Sequence, residues 1–150
     1  MAGLDVQIVP FKSTAAVVSA LRGGDVQLAF EVLAPVYAQI RSGALRALAV
    51  AGAKRFAGLP AVPTLAESAV PGYRSGSWNG IAAPAGTPAP VIDRLARETR
   101  AAALAPEVAD RLAGLGVVAH AGTPAETREL LAAEIEKWRA VIQRAGIERQ

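Results

Sequence analysis

The first fifty-one residues alternate between β-branched runs and helix-length stretches, and this alternation constrains the fold more than any other feature of the chain. The run Leu4-Asp5-Val6-Gln7-Ile8-Val9-Pro10 suits a pleated strand and stops at a proline, which cannot donate to a ladder. Ser13 and Thr14 then offer hydroxyls to a helix start, and Val17, Val18 and Leu21 share one face of a helix running through Arg22. Gly23-Gly24 predicts its end, because the left-handed residue that closes a helix costs least at glycine. A second strand is expected over residues 26–30, a short helix over about 35–42 closed by Gly43, and a third strand over 45–51. Strand–helix–strand–helix–strand in that order calls for an α/β fold, a parallel sheet joined by right-handed crossovers.

Beyond this point the chain changes character. The Pro/Gly-rich residues 58–76 contain the capping box Thr64-Leu65-Ala66-Glu67, and residues 77–83 suit one more strand leading into Pro84-Ala85-Gly86. Thr87-Pro88 reads as an N-cap and first-turn proline for a helix to about Leu104. Pro106 opens another helix, ending at Gly114-Leu115-Gly116, with a short strand over 117–120. Thr123-Pro124-Ala125-Glu126 combines N-cap, proline and third-position glutamate ahead of Leu131, Ile135, Trp138 and Ile142 at helical spacing, and Gly146 ends that helix. Gly-Thr-Pro-Ala occurs twice, from Gly86 and from Gly122, as a repeated way to start a helix and not as a structural repeat.

Composition removes several function classes. A chain of 150 residues can bury one core without staples. Its apolar fraction is 52%, of which 34 residues are alanine and only seven are aromatic, so the core is made of small side chains that allow close helix-on-sheet packing. The absence of cysteine excludes a disulfide scaffold, a thiolate metal site and a cysteine nucleophile; a single histidine, His120, excludes a histidine metal cluster. No metal and no cofactor are therefore expected. Net charge is +3, with seven basic against four acidic residues up to position 80 and nine against nine after it. No basic run occurs and no aromatics interleave with the arginines, which argues against nucleic acid as a partner. The modest excess in the first half suits a small anionic ligand. The longest uncharged stretch, residues 75–92, holds three glycines and three prolines and is no membrane helix. The start, Met1-Ala2-Gly3-Leu4-Asp5, carries neither the basic nor the apolar segment of a secretion signal, so the chain as written is expected to stay in the cytoplasm.

Enzyme motifs fail on their context. Gly114-Leu115-Gly116-Val117-Val118-Ala119 fits a dinucleotide fingerprint by letter, but it follows a helix and precedes a strand, the reverse of what a pyrophosphate site requires. Neither a phosphate-binding P-loop nor a nucleophile elbow is present. His120 therefore reads as a structural histidine. Glu129, Glu134 and Glu136 read as solvated charges paired at i,i+4 with Arg128, Lys137 and Arg139, and Trp78 and Trp138 as core or interface anchors. The chain is expected not to be an enzyme.

The first strand-to-helix turn, Phe11-Lys12-Ser13-Thr14-Ala15-Ala16, carries the most suggestive chemistry. Small and hydroxylated residues leave helix-start amides accessible, and the dipole and Lys12 favour a carboxylate or phosphate there. In an open parallel sheet such a turn lies at the carboxyl ends of the strands, where ligands bind. Simple capping by Ser13 and Thr14 is the equal alternative. Glu31, at the same expected edge, would meet a ligand ammonium or hydroxyl, or face water.

Several stretches together resemble one receptor family. They are Val9-Pro10-Phe11-Lys12 with Gly23-Gly24-Asp25-Val26, then Gly43-Ala44-Leu45-Arg46-Ala47-Leu48-Ala49-Val50, and Val62-Pro63-Thr64-Leu65-Ala66-Glu67-Ser68 with Pro71-Gly72-Tyr73. Trp78, Gly80, Ala83-Pro84-Ala85-Gly86-Thr87-Pro88 and Glu136-Lys137-Trp138 complete the set. In this order they resemble the Bug-type extracytoplasmic solute receptors, the substrate-binding proteins of tripartite tricarboxylate transporters, over the C-terminal portion of such a receptor. The chain departs from that pattern at Phe11 (usually tyrosine), at Ser13-Thr14 (usually a glycine-rich turn), at Ala16 (frequently proline) and at Glu31 (often aspartate).

The resemblance implies a lobe like those of type II periplasmic binding proteins with a parallel sheet over residues 1–77. Residues 78–150 would then be a crossover strand and C-terminal helices returning to a first lobe. It further implies a periplasmic location, a small carboxylate ligand of the di- or tricarboxylate or acidic amino-acid type, and transporter membrane subunits as partners in the full-length protein. Ser13, Thr14 and Ala15 would contact the ligand, Phe11 would line the pocket and Glu31 would join them. One lobe encloses little, so weak carboxylate binding is expected of this chain alone. A free-standing interaction or sensory module that has lost solute binding is the alternative. The apolar faces after Thr87, with Leu95, Leu104, Leu112, Leu131, Ile135 and Trp138, lead to an expectation of self-association through the C-terminal helices.

Overall fold

Helices form wherever a start signal and a stop signal bracket a run of good helix formers. The structure is a computed structural model and describes residues 5–147. Six helices occur there: α1 Thr14–Gly23, α2 Leu33–Arg41, α3 Leu65–Ser68, α4 Ala89–Leu104, α5 Pro106–Gly114 and α6 Pro124–Ala145. Ser13 caps α1 by accepting from the Ala16 N–H at 3.3 Å, and Gly24 closes the helix in the left-handed region. Thr64 and Thr123 each complete a reciprocal box with the glutamate three residues on. None of these helices is long and apolar enough to cross a membrane.

The two copies of Gly-Thr-Pro-Ala behave differently. Thr123 accepts from the Glu126 N–H at 3.2 Å, and the Glu126 carboxylate accepts from the Thr123 N–H at 2.7 Å. Thr87 caps nothing. Its hydroxyl donates backward to the Pro84 carbonyl at 2.8 Å, and α4 starts after Pro88 without a side-chain cap. The reason lies three residues on, where Thr87 meets Pro90, which has no N–H to give.

The expected parallel sheet does not form among the described residues. Residues 5–10, 26–30, 45–51, 77–83 and 117–120 are irregular or extended, and Leu4 lies outside the described residues. A single parallel bridge, Val50 to Thr64, is the whole of the β-pairing there. The apolar side chains of the expected strands stay in water: Ile8 is 85% exposed, Ile81 79% and Phe30 72%. A strand is stabilised by cross-strand neighbours on a shared face, and apart from Val50 these segments have none among the described residues.

Burial is correspondingly sparse. Among the described residues only Ala20, Val36, Tyr37 and Thr64 are buried. α1 and α2 pack on each other, and Tyr37 of α2 anchors the surroundings. Its ring meets Phe56 edge-on at 5.4 Å, its hydroxyl donates to the Gly58 carbonyl at 3.4 Å, and the Arg41 guanidinium lies 5.9 Å from its ring centre. Two glycines are required here. A Cβ on Gly58 would sit 2.3 Å from the Tyr37 hydroxyl, and one on Gly116, whose φ is +78°, would sit 3.1 Å from the Tyr37 Cβ. Gly116 thus closes α5 and seats Tyr37, consistent with a helix end and not a nucleotide turn.

Two compact units are present, one built from the chain through Trp78 with Asp110–Val118, the other from Asn79–Ala109 and the chain from Ala119. In the second unit the charges of α6 pair at i,i+3, Glu134 with Lys137 at 3.1 Å and Glu136 with Arg139, one residue closer than the expected spacing. The Trp138 indole N–H donates to Glu134 at 2.8 Å, which keeps this ring at the surface instead of in a core. Trp78 is likewise exposed.

Candidate functional site

A helix leaves its first N–H groups without intrahelical acceptors, so the start of α1 is defined by what does and does not satisfy them. Ser13, with φ −158° and ψ 153°, uses its hydroxyl on Ala16 and its carbonyl on the Val17 N–H at 3.2 Å. Among the described residues no acceptor takes the amides of Thr14 and Ala15. Phe11, Lys12, Ser13 and Ala15 are exposed and Thr14 is half-buried, so the turn opens to solvent. The dipole of the ten-residue α1 adds positive potential there.

Ser13, Thr14 and Ala15 are adjacent in this turn, with Phe11 two residues before it. Glu31 is engaged elsewhere. Its carboxylate accepts from the Val32 N–H at 2.9 Å, at the start of α2, where no side chain caps the helix. That places its charge favourably on the α2 dipole. No hydrogen bond or ion pair joins Glu31 to Phe11, Ser13, Thr14 or Ala15. A hollow along α1 is lined by Ala15, Val18, Ser19, Arg22 and Gly23 and takes only Ala15 from the expected set.

The strongest local electrostatics lie away from this turn. The Thr64 backbone N–H and the Arg55 guanidinium hold the Glu67 carboxyl below the usual carboxylate range, against a small opposing effect of burial. Arg55 Nε lies 3.0 Å from that carboxylate, and Arg55 also donates to the Pro60 carbonyl at 3.2 Å. Thr123, first through its backbone N–H and then its hydroxyl, lowers Glu126 likewise, with Arg100 and His120 adding attraction. Both carboxylates are committed to helix capping. His120 itself is exposed. Among the described residues no group of three or more His, Asp or Glu side chains is placed to hold a metal ion.

Comparison with known proteins gives this arrangement its context. Residues 1–147 match the family model described as "Tripartite tricarboxylate transporter family receptor". The protein BugT of Bordetella pertussis is 35% identical over 144 residues, which cover 96% of this chain and 44% of BugT. A protein in the clcB-clcD intergenic region of Pseudomonas knackmussii is 30% identical over 142 residues, and there the match covers 84% of the relative. Among solved structures, R. palustris Rpa4515 with adipate superposes with a TM-score of 0.85 at 33% identity, covering 96% of this chain and 48% of that one. The periplasmic binding protein BugD superposes at 0.75 with 30% identity, covering 99% and 50%. The chain thus spans about half the length of relatives such as BugT and Rpa4515. With the family model matched along nearly all of its length, the chain belongs to the tripartite tricarboxylate transporter family receptors, the Bug-type solute-binding proteins.

Proposed function

We propose that this chain forms part of a receptor that captures small carboxylates and delivers them to the membrane subunits of a tripartite transporter from the periplasm. The observation that supports the reading is the open start of α1, where the Thr14 and Ala15 amides have no acceptor among the described residues. Two adjacent N–H groups, the Ser13 and Thr14 hydroxyls and the helix dipole suit one carboxylate group. Phe11 lines the approach, and Glu31 stands off as a negative charge that disfavours a second carboxylate on its side. The adipate in Rpa4515 supports a ligand with two carboxylates held apart by an apolar chain.

In the whole receptor, residues 1–77 would build one lobe, with the extended segments as strands of its parallel sheet, and residues 78–150 would return to the other. The parallel sense of the Val50–Thr64 bridge supports this. Tight binding in a two-lobed receptor comes from closing both lobes and excluding water. An exposed helix start alone competes with water for the same hydrogen bonds, so this 150-residue chain binds weakly.

Amide NMR during titration with adipate tests both points. The Thr14, Ala15 and Ala16 resonances are expected to shift together, saturating only at millimolar ligand. Sub-micromolar saturation would overturn the half-clamp argument, and shifts that spare these three amides would overturn the site.

A further inference from the structure

Asn79 is the one asparagine of the chain, and a glycine follows it. The side-chain carbonyl carbon of an asparagine, Cγ, is electrophilic, and the backbone nitrogen of the next residue can close on it to form a five-membered ring. Two things normally prevent this. One is a side chain on the next residue that crowds the nitrogen; the other is a hydrogen-bonded backbone that fixes ψ of the asparagine and engages the N–H. Gly80 removes the first, since it has no Cβ and the widest backbone freedom.

The structure removes the second. Asn79 and Gly80 are both exposed, in a stretch without regular structure. Before them the backbone is last tied where the Ser75 N–H donates to the Ala51 carbonyl at 2.9 Å, and after them where the Thr87 N–H donates to the Pro84 carbonyl at 3.2 Å. Between these ties, residues 76–83 make no hydrogen bond to any described residue, through backbone or side chain. A segment with neither hydrogen bonds nor buried side chains to hold it samples its conformations freely. The chain also passes from the first compact unit to the second between Trp78 and Asn79.

We propose that Asn79-Gly80 is a site of spontaneous covalent modification, at which the chain converts its asparagine to aspartate and isoaspartate. Hydroxide takes the Gly80 N–H proton, and the nitrogen attacks Asn79 Cγ. The new N–Cγ bond forms, the Cγ–Nδ2 bond breaks, and the side-chain amide leaves as ammonia with a proton from solvent. The product is a succinimide. Water then opens it at one of two carbonyls: opening at the backbone carbonyl carbon leaves isoaspartate, and opening at Cγ leaves aspartate. Either product adds a negative charge to a chain whose formal net charge is +3. Isoaspartate also lengthens the main chain by one carbon, which shifts the later side chains of an extended run out of their alternation and so withdraws residues 80–83 from strand pairing. This chemistry is indifferent to whether the chain binds carboxylates.

Incubation of the intact chain at mildly alkaline pH, read by peptide mass spectrometry and by methylation with an isoaspartyl methyltransferase, tests this. No aspartate of the chain precedes a glycine, so isomerisation elsewhere does not compete. Asn79 is expected to lose its amide within about three-fold of the rate in a free peptide of residues 75–84, as an unheld segment should. The rate is expected to rise about ten-fold per unit of pH, with the deprotonated fraction of the Gly80 amide. Gly80→Val, whose β-branched side chain crowds the nitrogen, is expected to slow the loss by about ten-fold or more. Asn79→Gln, which leaves Gly80 in place and moves the amide one carbon away, is expected to be slowed as well. Amide loss more than about ten-fold slower in the chain than in the peptide would mean that residues 76–83 are held in solution, and would overturn the proposal. Loss that Gly80→Val leaves unchanged would mean direct hydrolysis without a ring, and would overturn it too.

Discussion

Two extended segments of the same unit have opposite fates. Residues 50–51 are tied on both sides: the Val50 N–H donates to the Pro63 carbonyl at 2.9 Å, the Leu65 N–H to the Val50 carbonyl at 2.9 Å, and the Ser75 N–H to the Ala51 carbonyl at 2.9 Å. Residues 6–9 have the stronger strand composition, Val-Gln-Ile-Val, yet make no ladder bond to another described segment. The difference lies in the neighbour. The buried Thr64 caps α3 and so presents Pro63–Leu65 as a fixed edge, whereas nothing holds an edge beside Val6–Val9. Pairing in this chain follows the availability of a rigid partner and not propensity.

The widest gap between the two kinds of segment should appear on truncating an apolar side chain in each. Tyr37→Ala removes the ring that Phe56, Gly58 and Gly116 surround and is expected to cost about 3–5 kcal/mol. Ile8→Ala, at a side chain left in water, is expected to stay within about 0.5 kcal/mol. Urea unfolding of both variants checks this, and an Ile8 effect as large as that of Tyr37 would show that residues 6–9 are packed in solution.

A smaller contrast separates the threonines. Thr64→Ala removes a buried cap and the edge it presents, at about 1–2 kcal/mol, and Thr123→Ala removes an exposed cap at about 1 kcal/mol. Thr87→Ala, from the identical Gly-Thr-Pro-Ala context, is expected to cost less than about 0.5 kcal/mol. Replacing Pro90 by alanine restores an N–H three residues after Thr87 and should turn that threonine into a cap, raising the cost of Thr87→Ala in the double-variant comparison.

These contrasts mark what the residues alone could reveal. Helix starts and stops are local, and Ser13, Thr64, Thr123, Gly24, Gly116 and Gly146 were legible because a cap is satisfied within four residues. The failure at Thr87 was also legible in principle, through Pro90. The sheet was not, because a strand depends on a partner distant in sequence. Tyr37 was invisible for the same reason: its place rests on Phe56, Gly58 and Gly116, which no local spacing connects. At the candidate site, the α1 turn can be read from Ser13 and Thr14, whereas the Glu31 hydrogen bond to the Val32 N–H depends on how the chain enters α2, which no local spacing gives.

The last and smallest contrast is in acid. Glu67 and Glu126 sit below the ordinary glutamate range because capping N–H groups, and for Glu67 the Arg55 guanidinium, favour the ionised form. A carboxyl depressed in the folded state gives stability that is complete above its unfolded pKa, about 4.3, and is lost as pH falls through the folded value. Glutamine keeps the reciprocal cap but does not titrate. Between pH 6 and 3 the melting temperature of the native chain should therefore fall further than that of the Glu67→Gln, Glu126→Gln double variant, with the two drawing together at the acid end. Equal slopes across that interval would mean that neither carboxylate is tied to its cap in solution. The segment at Thr87 offers the internal reference, since α4 has no acidic residue in its first turn, and a Thr87 variant should follow the native pH profile throughout.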